Sequence, residues 1–281
     1  MNTNTPNSKH PPLKNTPVHT GVAINHAEEH ENRIHSDDIA AKLGFEGALV
    51  PGVTVFGLTS IALTKQFGAA WLEGSCVHTR FLKPAYHNDI LNVYATNENH
   101  ANEAKCFNEL GTLLCTLNTN PLKVAAEFSQ YPFDTATTPI PATRIDRPVI
   151  QWDLIKENSP FPPRSWRPSP EENAKLAAEV QDTHPCFTEA RENLVHPHLL
   201  LSHANQTLVD EFEMPAWIHV GSELRLHQAL QLNRTYRVFA TPTRKWRHKG
   251  HEFLTLYIAY LYKDKVQTEI FHTAIFRIAG T

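Results

Sequence analysis

The sequence predicts an α+β fold made of two similar halves, each a curved antiparallel sheet wrapped around one buried helix. Three observations predict it. The same order of signals, an apolar helix followed by several alternating strands, occurs twice along the 281 residues. The first helix candidate, residues 48 to 64, carries no charge on any side, which is the composition of a helix that has no wet face. Nine of the twenty prolines lie between Pro132 and Pro170, a density that no helix interior or central strand tolerates, so a proline-rich segment separates the two runs.

The elements follow in order. The opening residues, MNTNTPNSKHPPLKNTP, lack the apolar core of a secretory signal, so residues 1–20 read as a disordered lead-in and the compartment as the cytoplasm. Residues 21–136 form the first unit: the uncharged helix, then the strands SCVHTRFL, DILNVYAT, AKCFNEL and TLLCTLNT. That helix stretch contains Pro51, Gly52, Gly57 and three threonines and is under 20 residues long, which fits a buried core helix better than a membrane span. Residues 137–165 are the proline-rich linker. Residues 166–281 form the second unit, with a helix over 197–211 and the strands AWIHVGSELRLH, RTYRVFATP, EFLTLYIAYLYK and VQTEIFHTAIFRI. Sliding the chain on itself by 145 positions places Val50 on Val195, Leu63 on Leu208, Arg80 on Arg225, Asn88 on Asn233 and Val93 on Val238. The halves therefore read as a duplicated unit, and each leaves an open sheet edge for the other to cover.

Composition removes several classes of function. The 26 basic and 29 acidic residues leave a net charge of −3, so no global positive field exists to hold a nucleic acid. The four cysteines show neither C-x-x-C nor a paired metal spacing, which points to unpaired thiols in a reducing compartment and away from structural zinc. His196, His198 and His203 are spaced by two and five, so they do not share one helical face, and no metal site is expected there. His78 and His219 lie among apolar strand neighbours and read as structural.

The chemistry concentrates in HENRIHSDDIAAKLGFEGALVPGVTVFGL, His30 to Leu58. Asn32, Ile34, His35 and Asp37, then Gly44, Phe45 and Gly47, then Val50 and Gly52, stand where the MaoC-like (R)-specific enoyl-thioester hydratases carry their signature. Arg80-Phe81-Leu82-Lys83-Pro84 and the following Asp89-Ile90-Leu91 resemble that family's next strand and turn. The chain thus resembles the double-hotdog members of the MaoC-like family over residues 25 to 96, and more loosely in the second half.

The resemblance implies a hydratase or dehydratase acting on an acyl thioester, with coenzyme A or phosphopantetheine entering only as part of the substrate and no separate cofactor. Water addition to an enoyl thioester needs a base for the water, an acid for the α-carbon, and donors where enolate charge develops. By resemblance His35 is the catalytic histidine and Asn32 orders its loop. Gly52 and Val53 open the helix whose positive end meets the oxyanion. His30 stands where the family has aspartate, so the expected pair is His30 and His35, with Glu28, Glu29 or Glu31 as substitutes if the loop shifts by one residue. Arg33 and Pro51 are further departures, the latter comfortable at a helix start. Arg80, and the run Arg244-Lys245-Trp246-Arg247, are candidate cations for the substrate phosphates or a carrier protein; the run also reads as a solvated hairpin turn. The expected partners are the thioester, an acyl carrier protein and a second copy of the chain. A thioesterase on the same fold and a non-catalytic acyl-binding protein remain open alternatives.

Overall fold

The computed structural model describes residues 16–98, 101–122, 137–140, 146–189 and 193–280. The first half contains β1 (His19–Val22), α1 (Asp37–Lys42), α2 (Gly52–Phe67), β2 (Ser75–Phe81), β3 (Ile90–Glu98), β4 (Ala101–Asn108) and β5 (Leu113–Pro121). The second contains β6 (Arg164–Trp166), α3 (Pro170–Glu179), α4 (Pro185–Thr188), α5 (Pro197–Val209), β7 (Ile218–Leu226), β8 (Tyr236–His248), β9 (His251–Tyr262) and β10 (Lys265–Arg277). All ten strands form one sheet in the order β1-β3-β4-β5-β2-β7-β10-β9-β8-β6, with every neighbouring pair antiparallel. Five strands of each half lie side by side, and β2 meets β7 at the seam.

The seam has the symmetry that the repeat predicts. His78 faces Glu223, two positions 145 apart in number, so a pseudo-twofold axis passes through that pair; Cys76 faces Arg225 and Arg80 faces Gly221 on either side. Gly221 is required there. A Cβ on it would sit 2.7 Å from the Thr79 carbonyl oxygen, an atom fixed in the facing strand.

Both long helices pack on the same side of this sheet and against each other. In α2 every residue from Val53 to Thr64 is buried. Its polar side chains stay satisfied inside the helix, since the Thr59, Ser60 and Thr64 hydroxyls donate to the Val55, Gly57 and Ser60 carbonyls. The helices approach closely at Gly57, where a Cβ would come within 2.9 Å of the His198 Cβ and of a Val180 methyl. In α5, Pro197 occupies the first turn and the His196 ring caps the helix by accepting from the His198 N–H.

Two expected boundaries are corrected. The lead-in ends before residue 20: His19 and Thr20 already belong to β1, paired with Val93 and Asn92, while residues 1–15 lie outside the described residues. The proline-rich linker is packed structure over its later part. Trp152–Leu154 form a 3-10 turn, Ile155 is fully buried, and Arg164 and Ser165 already belong to β6. Pro162, Pro163 and Pro168 flank β6 without entering it, and the strand lies at the sheet edge, where missing donors cost least. No helix of the described residues is long and apolar enough to cross a membrane.

The core also encloses neutral histidines. The His203 Nδ1 meets the Tyr260 hydroxyl at 3.0 Å, and the Ser222 hydroxyl joins the His219 Nε2 (2.9 Å) to the His272 Nδ1 (3.1 Å). Burial pushes the pKa of His198, His203 and His272 down to about 3, and that of His219 well below its ordinary value. In the unfolded chain a histidine titrates near ~6.5, so between about pH 6.5 and 4 the unfolded state binds more protons than the folded one. Stability is therefore present above that window and lost on descending through it, by up to about 1.4 kcal/mol per pH unit for each buried ring. The thermal midpoint should be level above pH 7 and fall steadily below 6.5; a midpoint unchanged at pH 5 would contradict this account. At the seam, Gly221→Ala should cost about 1–3 kcal/mol in denaturant unfolding, because Thr79 cannot yield without shifting the β2 backbone.

Candidate active site

The site is built by one loop of the first half pressed onto the entry of β7. Asn32 caps the short 3-10 turn Arg33–His35 by accepting from the Ile34 N–H. Its amide also grips Trp217 from both sides: the Trp217 N–H donates to Oδ1 at 3.1 Å, and Nδ2 donates to the Trp217 carbonyl at 3.0 Å. The Arg33 N–H adds a bond to the Pro215 carbonyl. The motif is thereby fastened to the other half of the molecule. Behind it, the Asp37 carboxylate accepts from the Ala48 N–H at 2.7 Å, which holds the glycine-containing turn leading to α2.

His35 is only 9% exposed. Its Nδ1 donates to the Leu49 carbonyl at 2.7 Å, so in the neutral ring Nε2 carries the lone pair, which accepts a long bond from the Asn32 amide nitrogen at 3.3 Å. Burial pushes its pKa down to about 4; the Leu49 carbonyl opposes that shift and the neighbouring His30 adds to it. At neutral pH the ring is therefore an acceptor and a base.

Two cavities meet at this point. The first, of about 170 Å³, has an apolar wall that includes Ile34, Phe45, Leu49, Val55 and Phe81, with the exposed Lys83 at its rim. The second, of about 240 Å³, is more polar and includes His26, His30, Glu179, His198 and Gln206. Asn32, His35, Pro51, Asn205 and Trp217 line both. Gly52 faces the first cavity and Val53 the second, so the start of α2 stands between them. Pro51 has no side-chain cap to offer, and the first ladder bonds to its carbonyl come from Thr54 and Val55. The N–H groups of Gly52 and Val53 precede that ladder at the positive end of the helix.

The sequence-predicted residues divide cleanly. His35, Asn32, Gly52 and Val53 converge on the two cavities. His30 lines the second cavity but is exposed, and its Nδ1 accepts from the Asn32 backbone N–H at 3.4 Å. Glu28, Glu29 and Glu31 line neither cavity. Glu31 is engaged by Arg147 and by the Met214 N–H, so no shift of the loop brings it to His35. Arg80 is exposed on β2 and lines neither cavity. The basic run is the last part of strand β8, paired with β9 just before their turn, and not the turn itself. The Lys245 ammonium donates to the Trp152 and Ile155 carbonyls, Arg244 lies over Trp246, and Arg247 pairs with Glu252 and lies over Trp152. Lys245 and Arg247 hold the linker to the second half, and none of the three lines the site. His196 pairs with Asp182, His198 bonds the Leu176 carbonyl and His203 bonds Tyr260, three separate duties.

Sequence reading missed Lys83, Glu179, Asn205 and Trp217. Lys83 lies within the Arg80–Pro84 motif. Asn205 is a polar residue on an apolar helix, a signal open to inspection. Nothing local marks Trp217 or Glu179.

No family model and no curated protein matches the chain. Solved structures do. A conserved hypothetical protein of Mycobacterium tuberculosis, essential for bacterial survival during infection and described as a double hotdog, aligns over 93% of this chain and 96% of its own at 13% identity and a TM-score of 0.58. A protein of Chloroflexus aurantiacus named as a MaoC domain protein dehydratase aligns over 93% and 95% at 11% identity and a TM-score of 0.60. A protein of Lactobacillus plantarum named as an oleoyl thioesterase aligns over 94% and 98% at 8% identity and a TM-score of 0.50. The chain is a double hotdog of the architecture shared by MaoC-like dehydratases, in which each curved antiparallel half-sheet wraps one buried helix.

Proposed function

We propose that this protein is an acyl-thioester enzyme of the hydratase/dehydratase type, interconverting an enoyl thioester and its 3-hydroxyacyl form on coenzyme A or on a carrier protein's phosphopantetheine. The observation that carries this reading is the placement of the His35 Nε2 lone pair at the junction of two cavities that the N-terminus of α2 also borders. Hydration needs those two features together. The base takes one proton from water as the water oxygen bonds to the β-carbon. The π electrons move toward the thioester oxygen, where the Gly52 and Val53 N–H groups and the helix end favour the developing negative charge. The proton on Nε2 then returns to the α-carbon, and the 3-hydroxyacyl thioester leaves with all atoms of water added. Dehydration is the same path reversed.

The departure at residue 30 affects rate more than geometry. An imidazole at the surface end of the second cavity provides no fixed negative charge beside His35, so the imidazolium intermediate is less stabilised than it would be by a carboxylate.

Absorbance of the enoyl thioester and release of free thiol separate the possible activities: loss of the first means hydration, appearance of the second means hydrolysis, and neither means binding alone. With but-2-enoyl-CoA and longer enoyl-CoA substrates, loss of enoyl absorbance without thiol release is expected. His35→Gln should lower turnover by at least ~10²-fold, the scale of a positioned general base. The glutamine is preferable to alanine because His35 is buried, and alanine would leave the Leu49 carbonyl unpaired at a cost of about 1–3 kcal/mol. His30→Asp should preserve or raise the rate. A His35→Gln enzyme with full activity would refute the site.

A further inference from the structure

The first-half motif brings a base to the cavity junction, but its neighbour there, Asn32, has its amide committed to Trp217, Ile34 and His35 itself. Among the described residues lining the two cavities, Glu179 is the one carboxylate, and it borders only the second. Two residues of the second half have atoms that can hold the water against the base. Asn205, on α5, has its Oδ1 buried without a hydrogen-bond partner. Trp217, only 4% exposed, has its indole Nε1 buried without a partner as well. Both side chains belong to the set of five that borders both cavities, together with His35. The Trp217 backbone is gripped by Asn32, whose amide also donates to the His35 Nε2 at 3.3 Å, so one side chain holds both the Trp217 backbone and the imidazole.

Buried polar atoms without partners are uncommon in folded proteins, and two of opposite kind beside one cavity junction call for a ligand. Their chemistry narrows it. The indole N–H can only donate, Asn205 Oδ1 can only accept, and His35 Nε2, with Nδ1 committed to Leu49, also accepts, its present donor being the long 3.3 Å bond from the Asn32 amide, which an incoming donor would share or displace. A group that donates twice and accepts once satisfies all three. Water does so. After addition, the 3-hydroxyl of the acyl chain keeps one donated and one accepted bond at the same place.

We propose that Asn205 and Trp217 of the second half complete the reaction centre by holding the attacking water, and then the 3-hydroxyl of the product, against the His35 Nε2. This deepens the hydratase reading and rests on it. The second half is then more than a scaffold: it supplies the acceptor that the family places in the first-half motif as a carboxylate, here as a neutral amide. Protons balance as before, since Asn205 and Trp217 orient the water without exchanging a proton with it.

Two measurements test the assignment separately from turnover. Asn205→Leu keeps the volume and removes the orphaned acceptor, so its thermal midpoint should stay level or rise while enoyl-CoA hydration slows by about tenfold or more, the scale of one lost hydrogen bond to the reacting group. Trp217→Phe should slow it in the same direction. Calorimetric binding of 3-hydroxybutanoyl-CoA and of butanoyl-CoA then reads the site without chemistry. The wild type should prefer the hydroxylated ligand, and both variants should lose that preference while binding butanoyl-CoA as before. If His35→Gln abolishes hydration and Asn205→Leu retains its rate within about twofold, the assignment of Asn205 is overturned and the hydratase reading stands. If the wild type hydrates no enoyl-CoA, that reading falls. Loss of the 3-hydroxyl preference in both variants would then still support the hydroxyl site, and equal affinities throughout would overturn it.

Discussion

The antiparallel pairing of β2 with β7 is the constraint from which the other features follow. Each half-sheet on its own exposes a row of unpaired backbone groups along that edge, and joining the two edges satisfies both rows at once. The join also determines where the helices lie. With the sheet continuous, α2 and α5 cover one face side by side and touch at Gly57. The β7 entry is then carried to the first-half loop, where Asn32 closes on the Trp217 backbone. Seam, helix pair and cavity junction form one connected arrangement, and the Thr79 carbonyl leaves a glycine as the only residue that fits at position 221.

Enclosure gives the interior its electrostatic character. A helix wrapped by a sheet presents no wet side, so from Val53 to Thr64 α2 carries hydroxyls that bond their own backbone and no charge, and Lys65 enters only in its exposed last turn. The same dryness holds the buried imidazoles neutral, His35 among them. For the base this has two opposite effects. Burial keeps the lone pair unprotonated at neutral pH and lowers its affinity for a proton. A carboxylate nearby would offset the second effect. In this chain the corresponding position is a histidine at the surface, and the acceptor nearest the junction is an amide. The charged residues singled out as phosphate contacts have other tasks, since the Lys245 ammonium and the Arg247 guanidinium secure Trp152 and the linker behind it.

The elements that depend on local pattern were legible in the sequence, for definite reasons. The uncharged run from Ala48, the alternation within SCVHTRFL and TLLCTLNT, and the 145-residue offset each record a periodic exposure, and periodicity survives without knowledge of contacts. The site loop was marked by the resemblance of Asn32, His35, Gly44 and Gly52 to the MaoC-like motif, and the structure shows Asn32 capping the turn and Gly52 opening the helix. The cations were misread because Arg80 and Arg244 carry the same charge whether they meet a phosphate, an aromatic ring or water. The edge strand β6 was hidden among prolines that argued against any strand.

By itself, then, the sequence determined that two α+β halves fold by the same pattern, and its resemblance to the MaoC-like motif pointed to His35 beside the start of a buried helix. Only the tertiary structure decided what faces His35 across the cavity junction. Asn205 and Trp217 stand 170 and 182 positions further along the chain. Their nearness to the histidine depends on the β2–β7 register and on the Asn32 clamp. Such contacts leave no periodic trace in the sequence, because neither residue is required by the helix or strand that carries it.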